Sequence, residues 1–271
     1  IDGSYWVLVS GNTVYGNGGS WGIQMYSDRS LALGNEIYRS PNGLNLSVGA
    51  VGRENRVYDN TGTGISLGGS GGAVAEYNIV YGNNIGIDES ASRVANNLVY
   101  DNRSVGIETS GYRGSGDGII GNTVVQPLGD AIRVTSGGNN VLITNNILEV
   151  GTGYAINVPS NAQVGFTSDY NLFRLTGTGR IGYWEDRPFL TLEDWYYEIG
   201  RDGESLVADP QFVDPSGADG IRGFSSASAG AAIRKTRSAG PSAAPKATGG
   251  SSRANASDGV VTAGLFACGI A

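Results

Sequence analysis

The sequence predicts an all-β protein: a right-handed parallel β-helix of about eight coils of about 23 residues each, followed by a short helix and cap. Three observations predict this single-stranded solenoid. The 45 glycines, 14 tyrosines and single methionine favour turns and strands over a helical bundle. One asparagine recurs in every repeat. A small residue followed by an aliphatic residue recurs in phase with that asparagine.

The recurring asparagine marks the first strand of each repeat. In the first five repeats an aliphatic residue follows two positions later and a tyrosine three positions later, as in Asn12-Thr13-Val14-Tyr15. Successive marker asparagines are 19 to 25 residues apart. They are Asn12, Asn35, Asn55, Asn78, Asn97, Asn122, Asn146 and Asn171.

The second marker is a glycine or alanine followed by an aliphatic residue, which lies 9 to 11 residues after each asparagine. These pairs are Gly22-Ile23, Gly43-Leu44, Gly64-Ile65, Gly86-Ile87, Gly106-Ile107, Ala131-Ile132 and Ala155-Ile156. Each repeat therefore holds at least two short strands, which bury their apolar faces only when repeats stack. A leucine-rich-repeat horseshoe needs several regularly spaced leucines in each repeat, and this sequence lacks them. A propeller blade requires about 40 residues per repeat, which is longer than the spacing found here.

The marker asparagines are predicted to form a structural ladder. A short amide fits a tight bend near the left-handed region, and amides on coils about 4.8 Å apart can hydrogen-bond to one another. A partial second ladder is predicted at Asn17, Asn60, Asn83 and Asn102.

Three regions are expected along the chain: coils in 1–182, a helix and strand cap in 183–224, and a tail rich in Ser, Ala and Gly in 225–271 that ends in a degenerate strand. In the cap, Thr191 with Asp194 three positions later predicts a helix start, and Gly200 predicts its end. Residues 209–215 predict a strand with prolines near its ends. The single cysteine, Cys268, cannot form an internal disulfide and is expected to be a small buried hydrophobe.

Charge and hydropathy restrict the partners. The net charge is −7, and residues 1–224 carry 13 basic against 24 acidic groups. Such an acidic surface disfavours nucleic acid as a partner. No apolar run approaches the roughly 20 residues needed to cross a bilayer, so membrane insertion is not expected. We expect a monomer.

The repeated N-x-[VI]-Y-x-N and G-I units, as in residues 12–17 and 78–83, make residues 7–173 resemble right-handed parallel β-helix repeat proteins. That family includes pectate lyases, polygalacturonases, mannuronan epimerases and NosD-like bacterial exported proteins. Segments 168–173, 191–195, 209–214 and 258–267 are similar to elements found near the end of many exported members. The resemblance implies a bacterial protein that is secreted, periplasmic or at the cell surface. The abrupt start at Ile1 suggests that earlier coils or an N-terminal cap precede this sequence.

Catalytic motifs of those enzymes are missing. The chain has no histidine, and residues 1–234 contain no lysine to serve as the base of a lyase. What remains is a column of side chains directly after the second marker, which should point outward and stack from coil to coil. We call Gln24, Asn45, Ser66, Asp88, Glu108, Arg133 and Asn157 the polar column.

Within the polar column, Asp88 and Glu108 should be neighbours about 5 Å apart, a separation that resembles the carboxyl pair of a retaining glycosidase. Arg133 is the third catalytic candidate, because it can pair with Glu108 or hold an anionic sugar. Calcium bridging Asp88 and Glu108 is an alternative, and otherwise no cofactor is expected. A solvated face without function is the third interpretation.

A second outward column, the tyrosine column, consists of Tyr15, Tyr38, Tyr58, Tyr81 and Tyr100. Stacked phenols can shield a sheet, or they can form a platform for sugar rings. Gln24 and Asn45 are further candidates for contact with the substrate. These features predict an extracellular protein that binds a polysaccharide and, as a further hypothesis, cleaves it as a glycoside hydrolase or polysaccharide lyase. The alternative is a noncatalytic structural or adhesive module of a larger surface protein.

Overall fold

A computed structural model describes residues 7–68, 72–111 and 118–213, together with Arg222 and the strand Arg234–Lys235. The chain winds into a parallel β-solenoid in which each coil contributes one strand to each of three sheets. This confirms the predicted parallel β-helix. The predicted tail, including Cys268 and the terminal strand in 258–267, lies almost wholly outside the described residues.

The first two sheets meet at the asparagine corner. Sheet 1 consists of Leu8–Ser10, Leu31–Leu33, Val51–Arg53, Val74–Glu76, Arg93–Ala95, Gly118–Ile120, Leu142–Thr144 and Thr167–Asp169. Sheet 2 consists of Thr13–Tyr15, Glu36–Tyr38, Arg56–Tyr58, Ile79–Tyr81, Leu98–Tyr100, Thr123–Gln126, Ile147–Val150, Leu172–Leu175 and Leu206–Val207.

Sheet 3 carries the second marker. It consists of Ile23–Met25, Leu44–Ser47, Thr63–Gly68, Ile85–Glu89, Val105–Gly111, Asp130–Asn139, Tyr154–Asn157, Arg180–Trp184 and an antiparallel last strand, Arg187–Phe189. A separate antiparallel pair joins Phe212–Val213 to Arg234–Lys235. The helices described are one 3₁₀ turn, Ser160–Ala162, and one α-helix, α1, at Leu192–Ile199.

Sheet 1 was not expected as a separate layer. Its strands are only three residues long, so the middle residue points inward, as Ala32, Ala75 and Ile119 do. One inward position per coil, which changes in size from coil to coil, leaves no periodic pattern in the sequence. The core is otherwise built from aliphatic side chains that stack coil on coil, such as Val57 on Val80 in sheet 2 and Ile65 on Ile87 in sheet 3.

The asparagine ladder is present throughout the coils. Each marker asparagine donates its side-chain Nδ2 to the Oδ1 of the next, at 2.9 to 3.1 Å. The same Oδ1 also accepts the backbone N–H of the preceding marker, at 2.9 to 3.0 Å. These amides replace the strand hydrogen bonds that the corner interrupts, so buried polar groups there are satisfied.

One detail of the predicted corner is wrong. The left-handed residue is the one before each ladder asparagine, with φ between 56° and 69°, and not the asparagine itself. Glu54, Tyr77 and Tyr170 occupy this position in three coils. The bend turns the chain, and the next residue then directs its amide inward to the ladder.

The second ladder is confirmed in part. Asn60, Asn83 and Asn102 form consecutive rungs, and Ser40 donates its backbone N–H to Asn60 Oδ1. Gln126 extends the ladder, because its Oε1 accepts the backbone N–H of Asn102 at 2.9 Å. Asn17 is exposed in the first coil.

The C-terminal end of the coils is closed by a cap. Helix α1 begins at Thr191, whose side chain accepts the N–H of Asp194, and ends at the left-handed Gly200, which confirms the predicted helix. Trp195 on α1 is fully buried and donates its Nε1–H to Asp202 at 2.9 Å. Asp202 also accepts Nδ2 of Asn171, the last ladder rung, at 3.0 Å. The aligned amide dipoles of the ladder therefore end on a buried carboxylate.

Candidate functional site

The polar column runs along the outer face of sheet 3. Strand pairing aligns Gln24 with Asn45, Asn45 with Ser66, Ser66 with Asp88 and so on through Asn157. It also aligns Asn157 with Tyr183, which extends the column by one coil. Eight positions separated by about 4.8 Å span roughly 34 Å along the solenoid axis. The residues that the Gly-Ile marker predicted to lie side by side on adjacent coils are therefore side by side in the fold.

At its N-terminal end the polar column forms a small network of neutral polar groups. Gln24 donates its Nε2–H to the Tyr26 hydroxyl at 2.9 Å, and Asn45 donates its Nδ2–H to the same oxygen at 3.3 Å. Tyr26 is 49% exposed. An exposed phenol held by two amides offers both a ring face and polar groups to a ligand.

The middle of the polar column is acidic. Asp88 and Glu108 are register partners on adjacent strands, and both are half-buried. Burial raises the pKa of Asp88 above its ordinary value. Burial also raises the pKa of Glu108, with a further contribution from Asp88, although the charge of Arg133 opposes this shift. Both carboxyl groups are therefore easier to protonate than free ones.

Arg133 has a partner that the sequence interpretation missed. Its Nη2 and Nε lie 2.7 and 2.8 Å from Oδ2 of Asp130, a carboxylate three residues earlier in the same strand. Asp130 is buried and also accepts Nδ2–H of Asn157 and the N–H of Tyr154. Asp130 was overlooked because its counterparts on neighbouring coils are Val105 and Tyr154, so no polar pattern reaches that position.

A metal at Asp88 and Glu108 would find few protein ligands. Across residues 7–68, 72–111 and 118–213, no group of three or more His, Cys, Asp or Glu side chains is arranged to hold an ion. Calcium normally takes six to eight oxygen ligands, so the two carboxylates would need a ligand or waters to complete the shell. Calcium at this pair stays a prediction.

The tyrosine column lies on the outer face of sheet 2. Successive rings are stacked, with centroids 4.7 to 5.2 Å apart and interplanar angles of 5° to 12°. The rings therefore cover one another's faces along the solenoid axis and direct their edges outward. Exposure falls along the column, from 61% for Tyr15 to 4% for Tyr100.

Polar side chains hold the centre of the tyrosine column. Tyr58 donates its hydroxyl to Glu36 Oε1 at 3.0 Å, and Arg56 forms an ion pair with the same oxygen at 3.2 Å. The guanidinium of Arg56 lies 4.6 Å from the centroid of the Tyr58 ring and also hydrogen-bonds to the Tyr81 hydroxyl. Burial raises the pKa of Tyr58, Tyr81 and Tyr100, so these phenols stay protonated.

Aromatic side chains also flank the C-terminal end of the polar column. Tyr154 and Tyr183 have centroids 5.2 Å apart and planes tilted by 53°, so their faces are not stacked on each other. The Arg180 guanidinium lies 5.6 Å from the Tyr154 centroid. Tyr183 follows Ile181-Gly182, in which the Gly-Ile order is reversed, so the sequence pattern did not identify Tyr183 as a member of the column. Tyr26 lies two residues after Gln24, a strand spacing that places both on one face.

Comparison with known families identifies the fold. A family model described as right handed beta helix region matches residues 1–148. The chain belongs to this family. Neither a curated protein nor a solved structure matches the chain significantly. Within the described residues, the helices are too short and too polar to span a membrane. The matched family is defined by its coils, and it assigns no reaction to the polar column.

Proposed function

We propose that this right-handed β-helix protein binds an extended polysaccharide along the outer face of sheet 3. The observation that carries the proposal is the polar column itself. Hydroxyl, amide, carboxyl and phenol groups follow one another in register over roughly 34 Å, with Tyr26 at one end and Tyr183 at the other. Sugars are bound in this manner, with ring faces on aromatic groups and hydroxyls on polar side chains.

The dimensions favour a polymer over a small ligand. A linear, shallow face can contact many sugar units, whereas a small ligand usually requires a concave pocket that buries most of its surface. A cavity lined by Glu89, Ser92 and Val141 has a volume of about 10 Å³, which is room for about one water molecule and too small for a monosaccharide.

The tyrosine column is the less suitable platform. Stacking against sugars requires an open ring face, and the faces of Tyr38, Tyr58 and Tyr81 are covered on both sides by neighbouring rings. At the ends of the stack, Tyr15 keeps one open face, whereas Tyr100 is only 4% exposed. We therefore assign the tyrosine column to stability and the polar column to binding.

The resemblance to exported β-helix proteins supports a location outside the cytoplasm, in the periplasm, at the surface or in the medium of a bacterium. A monomer is consistent with the proposal, because the polar column lies on one chain. A noncatalytic adhesive module of a larger surface protein would use the same face, so binding without cleavage is a form of this function.

Binding is tested with the variants Asn45→Ala and Tyr26→Ala and a panel of linear polysaccharides in affinity electrophoresis. We expect each variant to weaken retention about tenfold, since each removes part of the exposed network at the N-terminal end. Tyr197→Ala is the matched control, because Tyr197 is 84% exposed and lies on α1, outside the polar column. Equal effects of Tyr26→Ala and Tyr197→Ala, or wild-type binding in both, would reject the polar column as the binding face.

Cleavage by Asp88 and Glu108 is the second candidate function. The observation that favours it is the raised pKa of both groups, since a protonated carboxyl beside an ionised one is the arrangement of a glycosidase. In this scheme the protonated group gives its proton to the glycosidic oxygen while the other carboxylate attacks the anomeric carbon and the glycosidic bond breaks. Water then hydrolyses the resulting glycosyl ester and restores both carboxyl groups. Product analysis of a bound polymer would decide the matter: shortened chains must appear with wild type and disappear with Asp88→Asn or Glu108→Gln.

A further inference from the structure

We infer that the polar column selects a neutral polysaccharide and rejects polyuronates. The inference rests on the proposed function and concerns the charge of the ligand that the same face accepts. Its basis is the order of the side chains along the column. The neutral residues Gln24, Asn45 and Ser66 lead to two adjacent carboxyl groups, Asp88 and Glu108, at the centre of the binding face.

The arginine of the column is not available to balance an anionic ligand. Two nitrogens of Arg133 are engaged by Asp130, whose side chain is only 6% exposed. Asn157 and the backbone of Tyr154 hold that carboxylate in place. Arg133 and Asp130 therefore form a neutral pair, and a uronate would have to compete with a buried, fully hydrogen-bonded carboxylate for the guanidinium.

The carboxyl groups of Asp88 and Glu108 lack a comparable partner among the described residues. Arg133 acts on Glu108 only through space, and the charges that act on Glu108 from Asp88 and Asp130 have the same sign as its own. Asp88 takes part in none of the salt bridges among the described residues, and burial raises its pKa. A uronate carboxylate placed on these two coils would bring a further negative charge next to those of Asp88 and Glu108.

The surroundings reinforce this central repulsion. Residues 1–224 carry 13 basic against 24 acidic groups, so the body as a whole repels polyanions at long range. Sheet 3 also contains Arg180, near Tyr154, and Arg187, which pairs with Glu198; both lie at the far C-terminal end. A polyuronate long enough to reach Arg180 and Gln24 together must cross the acidic centre. Neutral sugars, in contrast, can donate hydroxyl hydrogens to both carboxylates.

The test compares neutral polymers with polyuronates on the intact chain at pH 7 and low ionic strength, with EDTA present to remove divalent cations. The neutral probes are a soluble β-glucan and galactomannan, and the anionic probes are polygalacturonate and alginate. We expect wild type to bind at least one neutral polymer and to bind both polyuronates at least about tenfold more weakly.

The double variant Asp88→Asn/Glu108→Gln sharpens the test. It removes the central charge while keeping the shape of both side chains, and polyuronate affinity should rise about tenfold. Asp88→Asn alone should give a smaller rise and provides a second variant if the double one folds poorly. Glu54→Gln/Glu193→Gln is the matched control: it removes the same net charge from two exposed positions outside the column and should change polyuronate affinity little.

Three outcomes overturn the inference. Polyuronate binding by wild type that equals or exceeds neutral binding in EDTA would reject charge selection but leave polysaccharide binding intact. An equal gain in the control double variant would assign the repulsion to net charge and not to the column. Binding of neither class of polymer by wild type would reject the proposed function together with this inference.

Discussion

The outer faces of sheet 2 and sheet 3 are built from the same repeat and yet differ in what they offer to a ligand. On sheet 2 one residue type recurs, and Tyr15, Tyr38, Tyr58, Tyr81 and Tyr100 stack face to face at 4.7 to 5.2 Å. On sheet 3 the residue changes at every coil, from Gln24 to Tyr183. The tyrosines of sheet 2 stack on one another, whereas the dissimilar polar side chains of sheet 3 leave hydrogen-bond donors and acceptors for a ligand.

The energetic consequences differ accordingly. Each stacked aromatic pair contributes about 0.5 to 1.5 kcal/mol beyond the burial of its area. On sheet 3, burial raises the pKa of Asp88 and of Glu108, and the charge of Asp88 adds to the shift at Glu108, so ionisation of the pair opposes stability. The tyrosine column therefore stabilises the solenoid, while the acidic centre of the polar column slightly destabilises it. Three substitutions test this contrast between the two faces.

The largest effect is expected from the ladder on which both faces depend. Asn78→Ala removes a buried amide that donates to Asn97 and to the backbone of Gly52 and accepts two hydrogen bonds from Asn55. The loss of these partners should lower the free energy of unfolding by about 3 to 5 kcal/mol. Guanidinium chloride unfolding measures it.

Asn12→Ala is the matched control, because Asn12 is the exposed first rung and accepts no hydrogen bond from another described rung. Its cost should be about 1 kcal/mol or less. If Asn12→Ala and Asn78→Ala lowered the free energy of unfolding equally, burial of the rungs would not explain how the ladder stabilises the fold.

The second substitution, Tyr58→Ala, distinguishes the two faces directly. It removes a ring stacked on both sides at 4.9 Å and a hydrogen bond to Glu36, so the free energy of unfolding should fall by about 2 to 4 kcal/mol. Polysaccharide binding should be unchanged at a temperature where the variant is folded. Thermal unfolding and affinity electrophoresis measure the two quantities.

Tyr15→Ala is the corresponding control, since Tyr15 stacks on one side only and is 61% exposed. It should cost about 1 kcal/mol or less. Lost binding in a stable Tyr58→Ala protein would return the platform role to the tyrosine column and contradict the assignment of functions made above.

The smallest effect concerns pH. Burial raises the pKa of Asp88 above the ordinary 3.8, so the folded protein retains a proton that the unfolded chain releases. The stability that protonated Asp88 contributes should therefore be lost as the pH rises from about 4 through the raised pKa. Asp88→Asn cannot ionise and should be more stable than wild type at pH 7, with the difference vanishing at pH 3.

The pH dependence of urea midpoints for wild type and Asp88→Asn checks this sign. Asp28→Asn provides the same chemical change at a side chain that is 68% exposed, and it should leave the profile close to that of wild type. A wild-type profile that rises from pH 4 to pH 7 relative to Asp88→Asn would show that Asp88 is stabilised in its charged form.

Much of the fold could be predicted because a solenoid repeats its local rules. The spacing of Asn55, Asn78 and Asn97, together with Gly64-Ile65 and Gly86-Ile87, fixed which residues lie side by side, and strand pairing agrees. Sheet 1 could not be predicted in this way, since each three-residue strand has one inward position, which varies from Gly52 to Ile119 and so has no period to detect. The position of the left-handed residue was missed for a related reason, because Gly34, Glu54 and Tyr77 share a conformation but no chemistry.

The coils, the ladder, helix α1 and the members of both outward columns up to Asn157 follow from the sequence alone, because each depends on spacing along the chain. How those columns can act depends on contacts that form only in the folded chain, as does the place of Tyr183. The tertiary structure paired Arg133 with Asp130, brought Tyr26 into contact with Gln24 and Asn45, and turned the tyrosine rings face to face. Side-chain direction and partner choice depend on rotamers and burial in three dimensions, and residue spacing carries no information about either.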